Sequence, residues 1–199
     1  MMMKKGLITC LTLLLCAGLF AQDSTETEQR GKFKRENIFL GTGLNLGFAN
    51  GSFNVGLNPE IGYSLNDWLD FGIALNVNYF SQNASDYYPT RFRNFNFGGG
   101  TFLRIWPVSF LHLQIQPEYN WINSSQKTGS LPSATFHYGA GSLLLGVGYG
   151  TRIIGRQYQY ITLMIDVLQD AHSPYRNNNS NDPLPVFRAG FGIYLNKKH

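Results

Sequence analysis

Between Ile38 and Leu195 one pattern recurs in successive stretches: a large apolar side chain at every second position, with glycine, asparagine, serine or a charged residue between. Phe53 to Phe80 shows it best. Around Asn66-Asp67, the odd positions Val55, Leu57, Ile61, Tyr63, Leu65 and then Leu69, Phe71, Ile73, Leu75, Val77 and Tyr79 are apolar. The even positions include Asn54, Gly56, Asn58, Glu60 and Gly62, then Asp70, Gly72, Asn76 and Asn78. A period of two places successive side chains on opposite faces of a strand, so this stretch is a β-hairpin. Each arm runs for about a dozen residues, longer than the usual globular strand of roughly five or six and near what a tilted strand needs to cross a bilayer.

The same alternation marks further strands. Ile38, Leu40, Leu44 and Leu46 oppose Gly41, Gly43 and Asn45, and an Asn50-Gly51 hairpin turn follows. A fourth strand spans about Phe92 to Trp106 and a fifth runs from Leu111 to Trp121. The sixth covers about Phe136 to Tyr149, with Leu144 breaking its polar face and pointing to a bulge or local twist. Gly150 to Arg156 reads as a turn, Tyr160 to Val167 as the seventh strand, and Phe187 to Leu195 as the eighth. Pro59 and Pro117 fall inside strands, where proline cannot donate to a ladder, so each predicts a bulge or a lost ladder bond.

Eight strands is an even number within the range of single-chain transmembrane barrels. The connections after the second, fourth and sixth strands are short. Those after the third, fifth and seventh are longer and polar, as with periplasmic turns and external loops. The expected fold is therefore all-β: an eight-stranded antiparallel up-and-down transmembrane β-barrel with a plugged polar lumen.

Composition decides which face is outside. Only 14% of residues are charged, against roughly 25% in typical soluble domains, and Lys127 is the single lysine between Glu36 and Asn196. A soluble barrel needs a charged water-facing surface that this chain lacks, which turns the apolar face toward lipid. Aromatic residues near strand ends then form the expected interfacial girdles: Tyr63, Trp68, Trp106, Tyr149 and Tyr194 at the short turns, Tyr79, Tyr119 and Trp121 toward the long loops.

That orientation sends Glu60, Asp70, Arg104, His112, Glu118, Asp166 and Arg188 inward. An eight-stranded barrel is just wide enough for side chains to fill, so these charges must pair. The expected arrangement is a structural lumen network in which Glu60, Glu118 and Asp166 bridge Arg104 and Arg188; an ion or proton path is the alternative use of the same groups.

Before Ile38 lie segments of a different kind. Met1 to Ala21 has basic Lys4 and Lys5, an apolar run and a small residue at its end, a secretory signal cleaved after Ala21. Residues 22–35 read as a flexible periplasmic lead-in, 36–196 as the barrel and 197–199 as a C-terminal tail. Lipidation at Cys16 competes with cleavage, but Leu15 is bulky where lipidation wants a small residue. Both cysteines, Cys10 and Cys16, lie in the signal, so the mature chain has no disulfide or thiolate site. The formal charge of +4 falls to about +2 without Lys4 and Lys5, and no basic stripe with interleaved aromatics points to nucleic acid.

No metal or cofactor is expected, since His112, His137, His172 and His199 are scattered. Nor do the Gly-x-Gly pairs precede helices, so they are read as inward barrel glycines. A lipid hydrolase would need a nucleophile, base and acid together near the outer leaflet, yet His137 and Ser142 have opposite parity and no strand carries an outward acid. The Asp86-Tyr87-Tyr88-Pro89 and Asn-rich external loops, or the periplasmic side, are left for a protein partner.

Leu19-Phe20-Ala21-Gln22, Pro59-Glu60-Ile61-Gly62-Tyr63, Ile165-Asp166-Val167-Leu168-Gln169-Asp170 and Phe187-Arg188-Ala189-Gly190-Phe191-Gly192 resemble segments of the small outer-membrane β-barrels of Gram-negative bacteria, of the OmpA/OmpX type and its PorT-like relatives. The resemblance implies an outer-membrane location, contact with lipid and with the insertion machinery, and a non-enzymatic structural or partner-binding role. A secretion-system component is a special case of that role. The family's terminal aromatic residue is replaced here by Asn196-Lys197-Lys198-His199.

Overall fold

The computed structural model describes residues 33–49, 52–84, 89–176 and 183–195. The signal peptide and most of the lead-in, the Asn50-Gly51 turn, Asp86 to Tyr88 and the C-terminal tail lie outside them. The chain divides into two units, Met1–Phe33 and Lys34–His199, and the strands all belong to the second. After one 3-10 turn at Arg35–Asn37 come β1 (Ile38–Ala49), β2 (Ser52–Asn66), β3 (Leu69–Gln82), β4 (Thr90–Val108), β5 (Leu111–Thr128), β6 (Ala134–Ile153), β7 (Gln157–Asp166) and β8 (Val186–Tyr194).

Each strand pairs antiparallel with its sequence neighbour, and β1 closes the barrel on β8 from Phe39↔Tyr194 to Leu44↔Ala189. Closure removes the sheet's open edges over this height. The turns at 67–68, 109–110 and 154–156 lie at one end and the longer connections at the other. Asn66 Oδ1 accepts from the Trp68 amide at 3.0 Å, a local side-chain bond that lets Asn66-Asp67 reverse the chain so tightly.

The two sequence prolines interrupt the ladder without shifting it. Between β2 and β3 the register passes from Leu57↔Val77 directly to Glu60↔Ala74, and between β4 and β5 from Gly100↔Glu118 to Leu103↔Ile115. On their other sides Pro59 faces Thr42 and Pro117 faces Leu143 in unbroken register. Each proline therefore costs ladder contacts with one neighbour only. No bulge forms at Leu144 either: β6 keeps its register with both neighbours, and Leu144 points inward, fully buried.

Three strands are longer than the sequence pattern implies. The polar run Asn123 to Thr128 continues β5, paired with Gln126↔Ala134 on β6. At the opposite end β6 and β7 continue past Tyr149↔Ile161 to Ile153↔Gln157, in the stretch read as a turn. Because a tilted strand crosses the apolar layer in roughly 9–11 residues, the 18 residues of β5 and 20 of β6 exceed that span.

Burial follows parity. On β3, Phe71, Ile73, Leu75 and Val77 are exposed while Gly72, Ala74 and Asn76 are buried; β5, β7 and β8 alternate in the same way. The exposed set is apolar and the buried set largely polar, an inversion of the soluble-protein rule.

Candidate functional site: the plugged lumen and its mouth

The interior is built from two carboxylate-centred clusters. In the first, Glu60 of β2 accepts from Arg104 Nη2 of β4 at 3.2 Å, from the Tyr158 hydroxyl at 2.8 Å and from the Tyr160 hydroxyl at 2.9 Å. Arg104 also lies over the Tyr160 ring at 4.1 Å and the Phe102 ring at 4.9 Å, where the ring faces favour a cation. In the second, Glu118 of β5 accepts from Asn76 and Asn120, from the Tyr175 hydroxyl at 2.6 Å and from Arg188 Nη2 at 3.5 Å.

One strand connects them. Arg104 Nε donates to Gln114 Oε1 at 3.0 Å, Gln114 donates to Gln116 at 2.8 Å, and Gln116 to Glu118 at 2.9 Å. Residues 114, 116 and 118 share one face of β5, so period two alone lines up the chain of amides. Every carboxylate oxygen in the two clusters has a donor, the condition under which buried charge is tolerated.

Room for the large inward rings comes from glycines on the paired strand. Tyr158 faces Gly192, Tyr160 faces Gly190 and Phe39 faces Gly62. A Cβ at Gly190 would lie 2.3 Å from the Tyr160 ring, and one at Gly62 2.3 Å from the Phe39 ring. Large opposite small fills a narrow barrel. Phe39 meets Tyr158 at 4.9 Å and Tyr194 at 5.6 Å, both edge-on, which closes the layer beneath the Glu60 cluster.

Asp70 lies nearer the short turns. It accepts from Ser64 Oγ at 2.6 Å and Trp106 Nε1 at 2.8 Å, and pairs with Arg152, which also donates to the Asp67 backbone oxygen. The structure thus corrects two girdle assignments. Trp106 and Tyr194 are buried inside the barrel, Trp106 on Asp70 and Tyr194 bonded to Ser64 at 2.9 Å. Trp68, Tyr119, Trp121 and Tyr149 are exposed outside, and Tyr63 and Tyr79 are half-buried on that same outer parity. Phe97 stacks on Trp121 at 5.3 Å. In vesicles of brominated lipid, a variant retaining only Trp68 or only Trp121 is expected to lose most of its fluorescence, whereas one retaining only Trp106 keeps it; equal quenching would put Trp106 back in the girdle.

The pairing also differs from the expected bridge. Asp166 contacts neither arginine: it accepts from the Leu143 and Leu168 amides at 3.0 and 3.1 Å and from Ser173 Oγ at 2.7 Å. His112 is fully buried and bonds to Thr162 at 2.8 Å. Asp166 therefore anchors the connection after β7, and Ser173, Pro174 and Tyr175 fold back over the barrel. Tyr175 packs with Leu144, Met164 and Val186, so Leu144 is apolar because it supports this returning segment. Burial, and then the neighbouring Glu118 carboxylate, raise the Tyr175 phenol well above its ordinary pKa, keeping it a neutral donor.

Sequence reasoning placed Tyr160 on the seventh strand without a role and missed Tyr158, Arg152 and Tyr175. Tyr158 was findable, since it shares the parity of Tyr160, Thr162 and Met164. His137 lies exposed on the outer face, bonded to Asn123 Oδ1 at 2.5 Å, and Ser142 is buried on the inner face beside Ser173, so the two do not form a nucleophile and base pair. Among the described residues no group of three or more His, Cys, Asp or Glu side chains is arranged to hold a metal ion.

A closed eight-stranded barrel, apolar outside and filled with paired charges inside, is the architecture of a small transmembrane β-barrel. The fold is similar to those of small outer-membrane barrels. Neisserial surface protein A shares 14% identity with a TM-score of 0.44, covering 80% of this chain and 97% of that one. Ail, the attachment invasion locus protein of Yersinia pestis, shares 8% identity with a TM-score of 0.43, over 78% and 94%. A major outer membrane protein from Thermus thermophilus shares 14% identity with a TM-score of 0.48, over 78% and 97%. No protein-family model and no curated protein sequence matches the chain.

Proposed function

We propose that this protein is a non-catalytic barrel of the outer membrane that seals its own interior and uses its outer end to bind. What supports the reading best is the pairing of an apolar lipid-sized belt with a lumen in which Arg104, Glu60, Tyr158 and Tyr160 fill the cross-section. Such an interior is a fixed plug and leaves no water path for ions.

The outer end offers the binding surface. β5 and β6 rise beyond the belt, and from Ala134 to Ser142 none of the described strands pairs with the free side of β6. An exposed edge of this kind presents ladder groups to an incoming strand. A PorT-like role in a secretion system is one form of such partner binding, and crosslinking in intact cells that returns secretion components would select it.

The test has two readouts. The protein is expected in the outer-membrane fraction with heat-modifiable gel mobility, and planar bilayers containing it are expected to show no conductance steps. Recovery from the soluble periplasm, or steps of porin size, would overturn the reading.

A further inference from the structure

Above the Glu118 cluster the lumen opens into a cup of about 490 Å³, within the roughly 300–1,000 Å³ of small-molecule sites. Its wall is an unusual concentration of carboxamides. Asn78 and Asn96 face each other across β3 and β4, Asn45 donates to Asn78 Oδ1 at 3.1 Å, and Asn54 and Asn94 form a tier above. Gly56 opposite makes the lower tier possible, because a Cβ there would fall 1.7 Å from Asn78 Oδ1.

Two of these carboxamides keep an oxygen that the fold does not use. Asn45 and Asn96 are each only 9% exposed, yet Asn45 Oδ1 and Asn96 Oδ1 accept no hydrogen bond from the described residues. Buried polar atoms are nearly always satisfied by protein or by water, so acceptors left over in a cavity wall are positions that a ligand hydroxyl can serve in place of water. Phe80 and Tyr138 add ring faces to the same wall, and Tyr138 is held by stacking on His172 at 5.1 Å.

We infer that the outer mouth is a binding site for a neutral saccharide, whose hydroxyls donate to and accept from the carboxamides while its C–H faces lie on Phe80 and Tyr138. The chemistry discriminates against the alternatives. Among the described residues no carboxylate lines the cup, so a cationic ligand finds no counter-charge, and a single arginine, Arg176, stands against five asparagines, so the wall is built for hydroxyls more than for charge. An extended peptide would need free ladder groups, which β6 offers along its open edge from Ala134 to Ser142, whereas the strands that carry Asn54, Asn78, Asn94 and Asn96 are paired with one another. The inference rests on the outward orientation proposed above.

The test uses the full mature chain folded in phosphocholine micelles, which carry no sugar. Saturation-transfer NMR is read with maltose, N,N′-diacetylchitobiose, dextran and trialanine as probes. Saturable transfer to at least one sugar is expected, and Asn96→Leu is expected to weaken it by about tenfold or more with heat-modifiable mobility unchanged, since Asn96 Oδ1 holds no described group of the barrel. Binding of dextran as well as short sugars marks a glycan chain as the source; binding of short sugars alone marks a free saccharide. Silence from all three sugars, transfer to trialanine alone, or transfer that survives Asn96→Leu would overturn the site. A membrane-impermeant maleimide applied to intact cells carrying Ser133→Cys keeps the two readings apart: failure to label would sink the orientation and leave the saccharide result standing.

Discussion

Glu60→Leu is expected to destabilise the barrel by about 3–5 kcal/mol, the usual cost of removing one partner from a buried charge pair. Arg104 is 1% exposed and would keep only its bond to Gln114 on the polar side. The Tyr158 and Tyr160 hydroxyls, both bonded to Glu60, would lose their acceptor as well, at about 1–3 kcal/mol for each left unsatisfied. These terms overlap and do not add, because all three donors share one carboxylate. The double variant Glu60→Leu with Arg104→Met is expected to recover most of the loss, since an apolar pair of similar volume leaves no stranded charge. Denaturant unfolding in lipid vesicles, followed by tryptophan fluorescence, gives both values. A single variant as stable as the wild type would show that Arg104 is solvated in the lumen.

The same cluster shows what a strand pattern can and cannot reveal. Parity along β2 and β4 was enough to put Glu60 and Arg104 inside, because a residue's face depends only on its neighbours in sequence. Which acid meets which base depends on how far the strands are staggered around the barrel, and no local signal encodes that. Asp166 illustrates the point: its parity is inward, but its height places it under the amides of Leu143 and Leu168 and out of reach of both arginines.

Trp106 and Tyr194 failed for a different reason. Their position near strand ends sets a height, whereas girdle residues need an outward side chain too, and Trp106 lies two residues beyond inward Arg104. The lower ends of β6 and β7 were illegible because Thr151, Gln157 and Gln159 continue the outer face beyond the apolar belt, so the alternation loses its hydrophobic half. Arg152 and Tyr158 disappeared with it. Leu144 looked like an error in a polar face for want of its partner, since Tyr175 arrives from a loop that strand periodicity does not describe.

Glu118→Ala is expected to have the second large effect, of the same about 3–5 kcal/mol, with a consequence that Glu60→Leu does not share. Arg188 is 3% exposed and pairs with Glu118, so it would be left buried without its carboxylate. Tyr175 would lose the acceptor that its hydroxyl reaches at 2.6 Å, while Arg188 Nη2 still donates to that hydroxyl at 3.2 Å. The returning segment is then held by Ser173 on Asp166 and by packing against Leu144, Met164 and Val186. Tyr175→Phe keeps that packing and removes only the hydroxyl, so it should cost about 1–3 kcal/mol at most and leave the segment in place. Protease added to vesicles with the end that bears the long connections exposed is therefore expected to cut the β7–β8 connection fastest in Glu118→Ala, more slowly in Tyr175→Phe and slowest in the wild type. Equal cutting in all three would mean that the lumen cluster does not govern the loop. The predicted ordering bears on the binding proposed above because the same segment forms one side of the carboxamide cup: if it holds, a carboxylate deep in the plug sets how firmly the mouth keeps its shape.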